Sequence, residues 1–129
     1  MKTLEQEFFD PSAAYRGKPF WAWNGKLEEQ ELLRQINVLY EMGFGGFFMH
    51  SRTGLQTEYL GDDWFRLTDA CVKKARALGM EPWIYDEDRW PSGCAGGLVT
   101  KKPQFRRKYL TLTLNEAADS SEPPLAVFA

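Results

Sequence analysis

The run Phe44-Gly45-Gly46-Phe47-Phe48-Met49-His50 limits what this chain can become more than any other stretch. It carries no polar side chain before the histidine and no alternation, so neither face of a strand built from it suits water. Strands of this kind belong to parallel sheets covered on both faces. Parallel strands need crossovers, and the sequence supplies one on each side. Leu32, Leu33, Ile36, Leu39 and Tyr40 recur at helical spacing before the run, and Trp64, Leu67, Cys71, Ala75 and Leu78 after it.

Each predicted helix has recognisable ends. Glu28, Glu29 and Glu31 occupy the first turns of one, where the positive end of the helix dipole favours them. Asp62 or Asp63 is placed to cap the other. Gly43 and Gly79 stand where a helix C′ residue is expected. Two more strand-like stretches complete the pattern: Phe20–Trp23, ended by Asn24-Gly25, and Pro82–Asp86, which is apolar through Tyr85. The order is strand, helix, strand, helix, strand, with minimal helix-to-strand links, which predicts a parallel sheet with right-handed crossovers.

The flanks read differently. Residues 1–18 form an arm expected to pack on the domain through Phe8, Phe9 and Tyr15, with a turn at Asp10-Pro11-Ser12. Residues 52–61 make a loop. Leu98–Lys102 suggests a helical turn stopped by Pro103, and Arg107–Leu114 alternates like a half-exposed strand of an antiparallel element. After a polar linker, Leu125–Ala129 starts an apolar run that reads as the beginning of a truncated element.

Composition narrows the function classes. Sixteen basic residues against 18 acidic ones leave a net charge of −2 and no basic field for nucleic acid. No run approaches the roughly 20 apolar residues of a membrane span, and the N-terminus lacks a secretory apolar core; a cytoplasmic protein is expected. Cys71 and Cys94 form no CxxC pattern, and one His cannot complete a zinc site with them. Cys71 is expected to be a buried free thiol.

In parallel α/β architectures ligands bind at the C-terminal ends of the strands. Those ends hold Asn24, His50, Arg52 and the sequence Tyr85-Asp86-Glu87-Asp88-Arg89-Trp90-Pro91-Ser92-Gly93. If the third strand runs through Asp88, Asp86 and Asp88 share one face and Glu87 the other, the two aspartates about 6.6 Å apart. That is near the separation of about 6.5–9.5 Å in an inverting glycosidase. Two carboxylates on the same side of one strand nevertheless cannot flank a glycosidic oxygen from opposite faces. Trp90 is placed to stack on a sugar or to cover the end of the sheet. Arg52 is expected to neutralise the carboxylates or to hold a substrate group.

Pro19-Phe20-Trp21-Ala22-Trp23-Asn24-Gly25, the strand Gly45–His50 and the segment Tyr85–Gly93 resemble the N-terminal part of the catalytic domain of glycoside hydrolase family 106, which contains α-L-rhamnosidases. The resemblance covers residues 18–114. It implies the first three βα units of a (β/α)8 barrel over 19–105, after the 1–18 arm, and the start of a β-rich element over 106–129. It also implies inverting hydrolysis of glycosidic bonds, an oligosaccharide or glycoside substrate, and calcium as cofactor. Asn24, His50, Arg52, Asp86, Glu87, Asp88 and Trp90 carry over as substrate-binding rim residues. The catalytic pair is expected on later strands, so no catalytic residue is assigned and the chain is expected to be inactive alone. The remainder of the barrel, or a second copy, would cover the sheet edges. Two alternatives stay open: a carbohydrate-binding half-barrel without catalysis, and another sugar-active barrel enzyme. An aldolase is disfavoured, because no predicted strand within residues 20–88 carries a lysine for a Schiff base.

Overall fold

The computed structural model describes residues 3–88, 95–112 and 125–126. A short helix α1 (Leu4–Phe9) and a 3-10 turn at Ala13–Tyr15 precede strand β1 (Phe20–Trp23). Helix α2 (Glu29–Glu41), strand β2 (Gly46–Ser51), helix α3 (Asp62–Ala77) and strand β3 (Glu81–Ile84) follow in strict alternation. The strands pair in parallel in the order β1-β2-β3, with Phe20, Phe48 and Trp83 in register across the sheet.

The helices form where the apolar spacing places them, and one face of the sheet receives them. Leu32 and Ile36 of α2 and Trp64, Leu67, Cys71 and Ala75 of α3 are buried against Trp23, Phe47 and Met49 in a single cluster. Burying each large apolar side chain in that cluster contributes about 1.5–3 kcal/mol. Trp64 Nε1 donates to Ser51 Oγ at 3.0 Å, which ties α3 to the end of β2. Both helices stop at glycines with positive φ, Gly43 at +86° and Gly79 at +69°. Tyr40, expected on the buried face of α2, is instead half exposed. Gly61, not an aspartate, is the N-cap of α3; Asp62 and Asp63 lie inside its first turn, where the dipole still favours them.

The barrel expectation is corrected. Among the described residues the sheet is open: β1 and β3 each pair on one side only, and three strands cannot close on themselves. Strand–helix alternation is common to open and closed sheets, so it did not distinguish them. β2 is buried or half-buried along its length, as expected of a strand covered on both faces, but its neighbours are not. By strand alternation Phe20, Phe48 and Trp83 project away from the helices, and Phe20 and Trp83 are 61% and 49% exposed. No β-rich element begins among residues 107–112, which are exposed and in no strand, and 113–124 lie outside the described residues.

The arm docks by polar contacts rather than by its aromatic residues. Phe8, Phe9 and Tyr15 are exposed. Gly45 N donates to Gly17 O at 3.0 Å and Lys18 pairs with Glu81 at 3.3 Å, while Arg16 Nε donates to Pro11 O at 2.7 Å within the arm itself. Among the described residues no helix is long and apolar enough to cross a membrane.

Candidate functional site

The C-terminal ends of the three strands lie side by side because the strands are parallel and in sequence order. β1 ends at Trp23, which turns into the core, so Asn24 begins the following loop and is exposed. The loop after β2 is stitched to that segment: Arg52 N donates to Trp23 O, Gln56 N to Gly25 O and Leu27 N to Thr57 Oγ1, each at 3.0 Å. Leu60 then takes a φ of +59° as the chain turns into α3, a conformation that costs a non-glycine residue about 1–2 kcal/mol. Beside it, the Tyr59 hydroxyl reaches the Asp86 carbonyl at 3.4 Å.

β3 ends at Ile84, earlier than expected, so the strand alternation assigned to the carboxylates does not hold. Asp86 is exposed, whereas Glu87 and Asp88 are both buried, at 8% and 6% exposure. Tyr85 stands over His50, with ring centroids 4.4 Å apart, and its hydroxyl is directed at the Glu87 carboxylate. Phe20 closes on the pair from β1, 5.7 Å from His50 and 5.1 Å from Tyr85. The turn at Ala95–Gly97 packs on the far side, where a Cβ at Gly96 would meet Tyr59 Cδ1 at 2.7 Å and Asp88 Oδ2 at 3.6 Å. His50, Tyr85, Glu87, Asp88 and Tyr59 therefore form one group. Asn24 and Arg52 lie exposed at its margin, and Trp90 lies outside the described residues.

The electrostatics keep the titrating members uncharged near neutral pH. Burial, then the charge of Arg52, hold the His50 pKa below its ordinary value, against an opposing pull from Glu87. Burial pushes the Tyr59 hydroxyl up, helped by Asp88, Asp86 and Glu87. Tyr85 is raised by burial and then by Glu87 and Asp86. Arg52 was expected to neutralise the carboxylates, yet it forms no ion pair among the described residues. The result is a neutral imidazole and two phenol donors beside carboxylate acceptors, a mixture suited to hydroxyl groups.

No protein-family model matches the chain, and no curated protein is significantly similar to it. The likeness to glycoside hydrolase family 106 rests on the three motifs alone. The calcium it implies finds no ligand set here: among the described residues no three His, Cys, Asp or Glu side chains are grouped to hold a metal ion. A groove of about 440 Å³ between α2 and α3 offers no second site. Most of its charges are paired with one another, Arg66 with Glu29 at 2.6 Å and Lys73 with Asp69 at 2.6 Å, which leaves Lys74 as its one lining charge in no ion pair among the described residues.

Sequence reasoning missed Tyr59 and Tyr85. In the sequence Tyr85 closes an apolar run, although it directly precedes the carboxylates. Tyr59 carried no signal beyond membership of the loop after β2.

Proposed function

We propose that this chain recognises a glycoside at its strand ends and forms one wall of the sugar site of an α-L-rhamnosidase-like glycoside hydrolase, without turning substrate over by itself. The observation that supports it is the grouping of a neutral imidazole, two phenols and buried carboxylates at the C-terminal ends of parallel strands, where α/β proteins bind ligands. The three motifs supply the sugar class. All three rim carboxylates come from residues 86–88, so none faces another across a scissile bond as hydrolysis requires. The same fact favours the second reading, a carbohydrate-binding unit with no catalytic role. A cytoplasmic location fits Cys71, a buried free thiol.

The test is to mix the purified chain with methyl α-L-rhamnopyranoside and follow backbone amide shifts, then to assay aryl α-L-rhamnoside hydrolysis with and without calcium. The expected result is saturable shifts at Tyr59, Tyr85 and Glu87 with no hydrolysis. Absence of shifts with any of a panel of methyl glycosides overturns sugar recognition. Hydrolysis by the chain alone overturns its dependence on further catalytic groups.

A further inference from the structure

The net charge of −2 averages over an uneven distribution. No acidic residue stands between Asp88 and Glu116, and Lys101, Lys102, Arg106, Arg107 and Lys108 fall together in that interval. Without these five the chain has 11 basic residues against 18 acidic ones, a balance of −7. In the arm and helices, Arg16, Lys18, Arg34, Arg66 and Lys73 each pair with a carboxylate. None of the five cations in 101–108 forms an ion pair among the described residues, and all five are exposed.

The local fold gathers these charges rather than spreading them. The chain makes a 3-10 turn at Pro103–Phe105, and Arg106 Nε reaches back to donate to Thr100 O at 2.7 Å. That brace draws the two ends of the turn together, with Lys101 and Lys102 on one side and Arg107 and Lys108 on the other. Like charges held close without counter-charges repel, and an anionic surface relieves that repulsion. Large apolar side chains share the segment: Phe105, Tyr109, Leu110 and Leu112 are 57%, 78%, 86% and 76% exposed.

The apolar component decides between the two polyanions that such a cluster can meet. A nucleic acid would offer phosphates to the cations and bases to the ring faces. Here each ring already has a cation over it, Lys102 Nζ 6.0 Å from the Phe105 centroid and Arg107 Cζ 5.9 Å from that of Tyr109. Leu110 and Leu112 would find no apolar partner along a sugar–phosphate backbone. An anionic bilayer surface suits both components: headgroup phosphates take the cations, and the acyl boundary beneath them takes the apolar side chains.

We propose that residues 101–112 are a peripheral docking segment for an anionic lipid surface. Its five cations lie at the headgroups, and Phe105, Leu110 and Leu112 reach the acyl boundary. Docking of this kind holds the chain on a membrane without crossing it. The proposal does not depend on the sugar-recognition reading.

The test is co-sedimentation of the full chain with vesicles of phosphatidylcholine alone and of an equal mixture of phosphatidylcholine and phosphatidylglycerol, against a vesicle-free control. The chain should bind the mixed vesicles, leave the neutral ones free, and be released progressively by salt. Lys101→Gln combined with Lys108→Gln spares the Arg106 brace. Each charge is worth about fivefold in partitioning, so the pair should weaken binding roughly 25-fold. Leu110→Ser combined with Leu112→Ser should weaken it about tenfold or more while preserving its salt dependence. All four positions are exposed, so unchanged urea midpoints show that the variants are folded. Binding to neither vesicle, or equally to both, overturns the proposal. So does a leucine variant that binds the mixed vesicles as tightly as the wild type. Tighter binding to a single-stranded oligonucleotide at the same salt, insensitive to the leucine substitutions, would assign the segment to nucleic acid and overturn it as well.

Discussion

His50 is the one imidazole in the chain, so its titration can be followed without ambiguity. Burial and the Arg52 charge disfavour its protonated form, and Glu87 favours it. Its midpoint in the folded protein should therefore lie below 6.5 in a proton NMR titration. Arg52→Ala should move that midpoint up, and Glu87→Gln should move it further down. The unfolded chain takes up the same proton near 6.5, so acid favours unfolding. The contribution of His50 to stability is complete above that value and is lost as the pH falls through the folded midpoint. Urea midpoints on either side of pH 6.5, compared between wild type and His50→Gln, isolate this term from the carboxylates. A wild-type midpoint at or above 6.5 would contradict the burial of the ring. The placement of His50 was legible, because a polar residue ending an apolar run must sit at a strand end. Its burial was not, because that depends on Tyr85 and Phe20 arriving from other strands.

The elements are held in place at close backbone approaches more than by their charges. Gly45 and Gly46 point to opposite sides of the chain, and each meets backbone: a Cβ would lie 2.2 Å from Ala13 O at Gly45 and 2.0 Å from Glu81 O at Gly46. The first contact lets the arm lie against the sheet, and the second lies where β2 pairs with β3. Neither oxygen is the end of a flexible side chain that could move aside. Gly46→Ala should therefore destabilise the protein by about 3 kcal/mol, read from the urea midpoint, with the loss of protection in hydrogen exchange concentrated in β2 and β3. A cost below about 0.5 kcal/mol would mean that the register of these strands is wrong. The exposed Arg66–Glu29 pair that joins α2 to α3, although only 2.6 Å long, contributes little because solvent screens it. Helix positions, strand order and the stops at Gly43 and Gly79 could be read from the sequence, since periodicity and glycine chemistry act locally. The end of β3 could not: Tyr85 continues the apolar run, and only pairing with β2, whose register reaches Ile84, decides where the strand stops.

At the scale of the molecule, the decisive feature is a parallel sheet whose crossover helices α2 and α3 pack on one face, with no helix on the other face among the described residues. Its other face carries Phe20, Phe48 and Trp83 stacked in register, with centroids 5.3 and 5.8 Å apart and rings 22° and 26° from parallel. Rings stacked on one another in this way turn their edges outward, so they suit cover by a further apolar layer better than stacking on a sugar. The backbone along the outer sides of β1 and β3 is equally available for pairing, and exposed edges of this kind are templates for association. Ile84, 53% exposed on the edge strand, adds apolar surface there. The chain should therefore associate with itself as its concentration rises, seen as an increasing sedimentation coefficient. Ile84→Lys should weaken that association tenfold or more, about 1.4 kcal/mol, because a charge on an edge strand must lose its hydration when another strand pairs with it. The half-exposed position makes the substitution nearly neutral for folding, so an unchanged urea midpoint separates the effect on association from any loss of structure. A chain that sediments as a monomer at every concentration, or an Ile84→Lys variant that associates as strongly as the wild type, would show that these edges are protected in solution. In that case residues beyond the described strands would have to supply the protection.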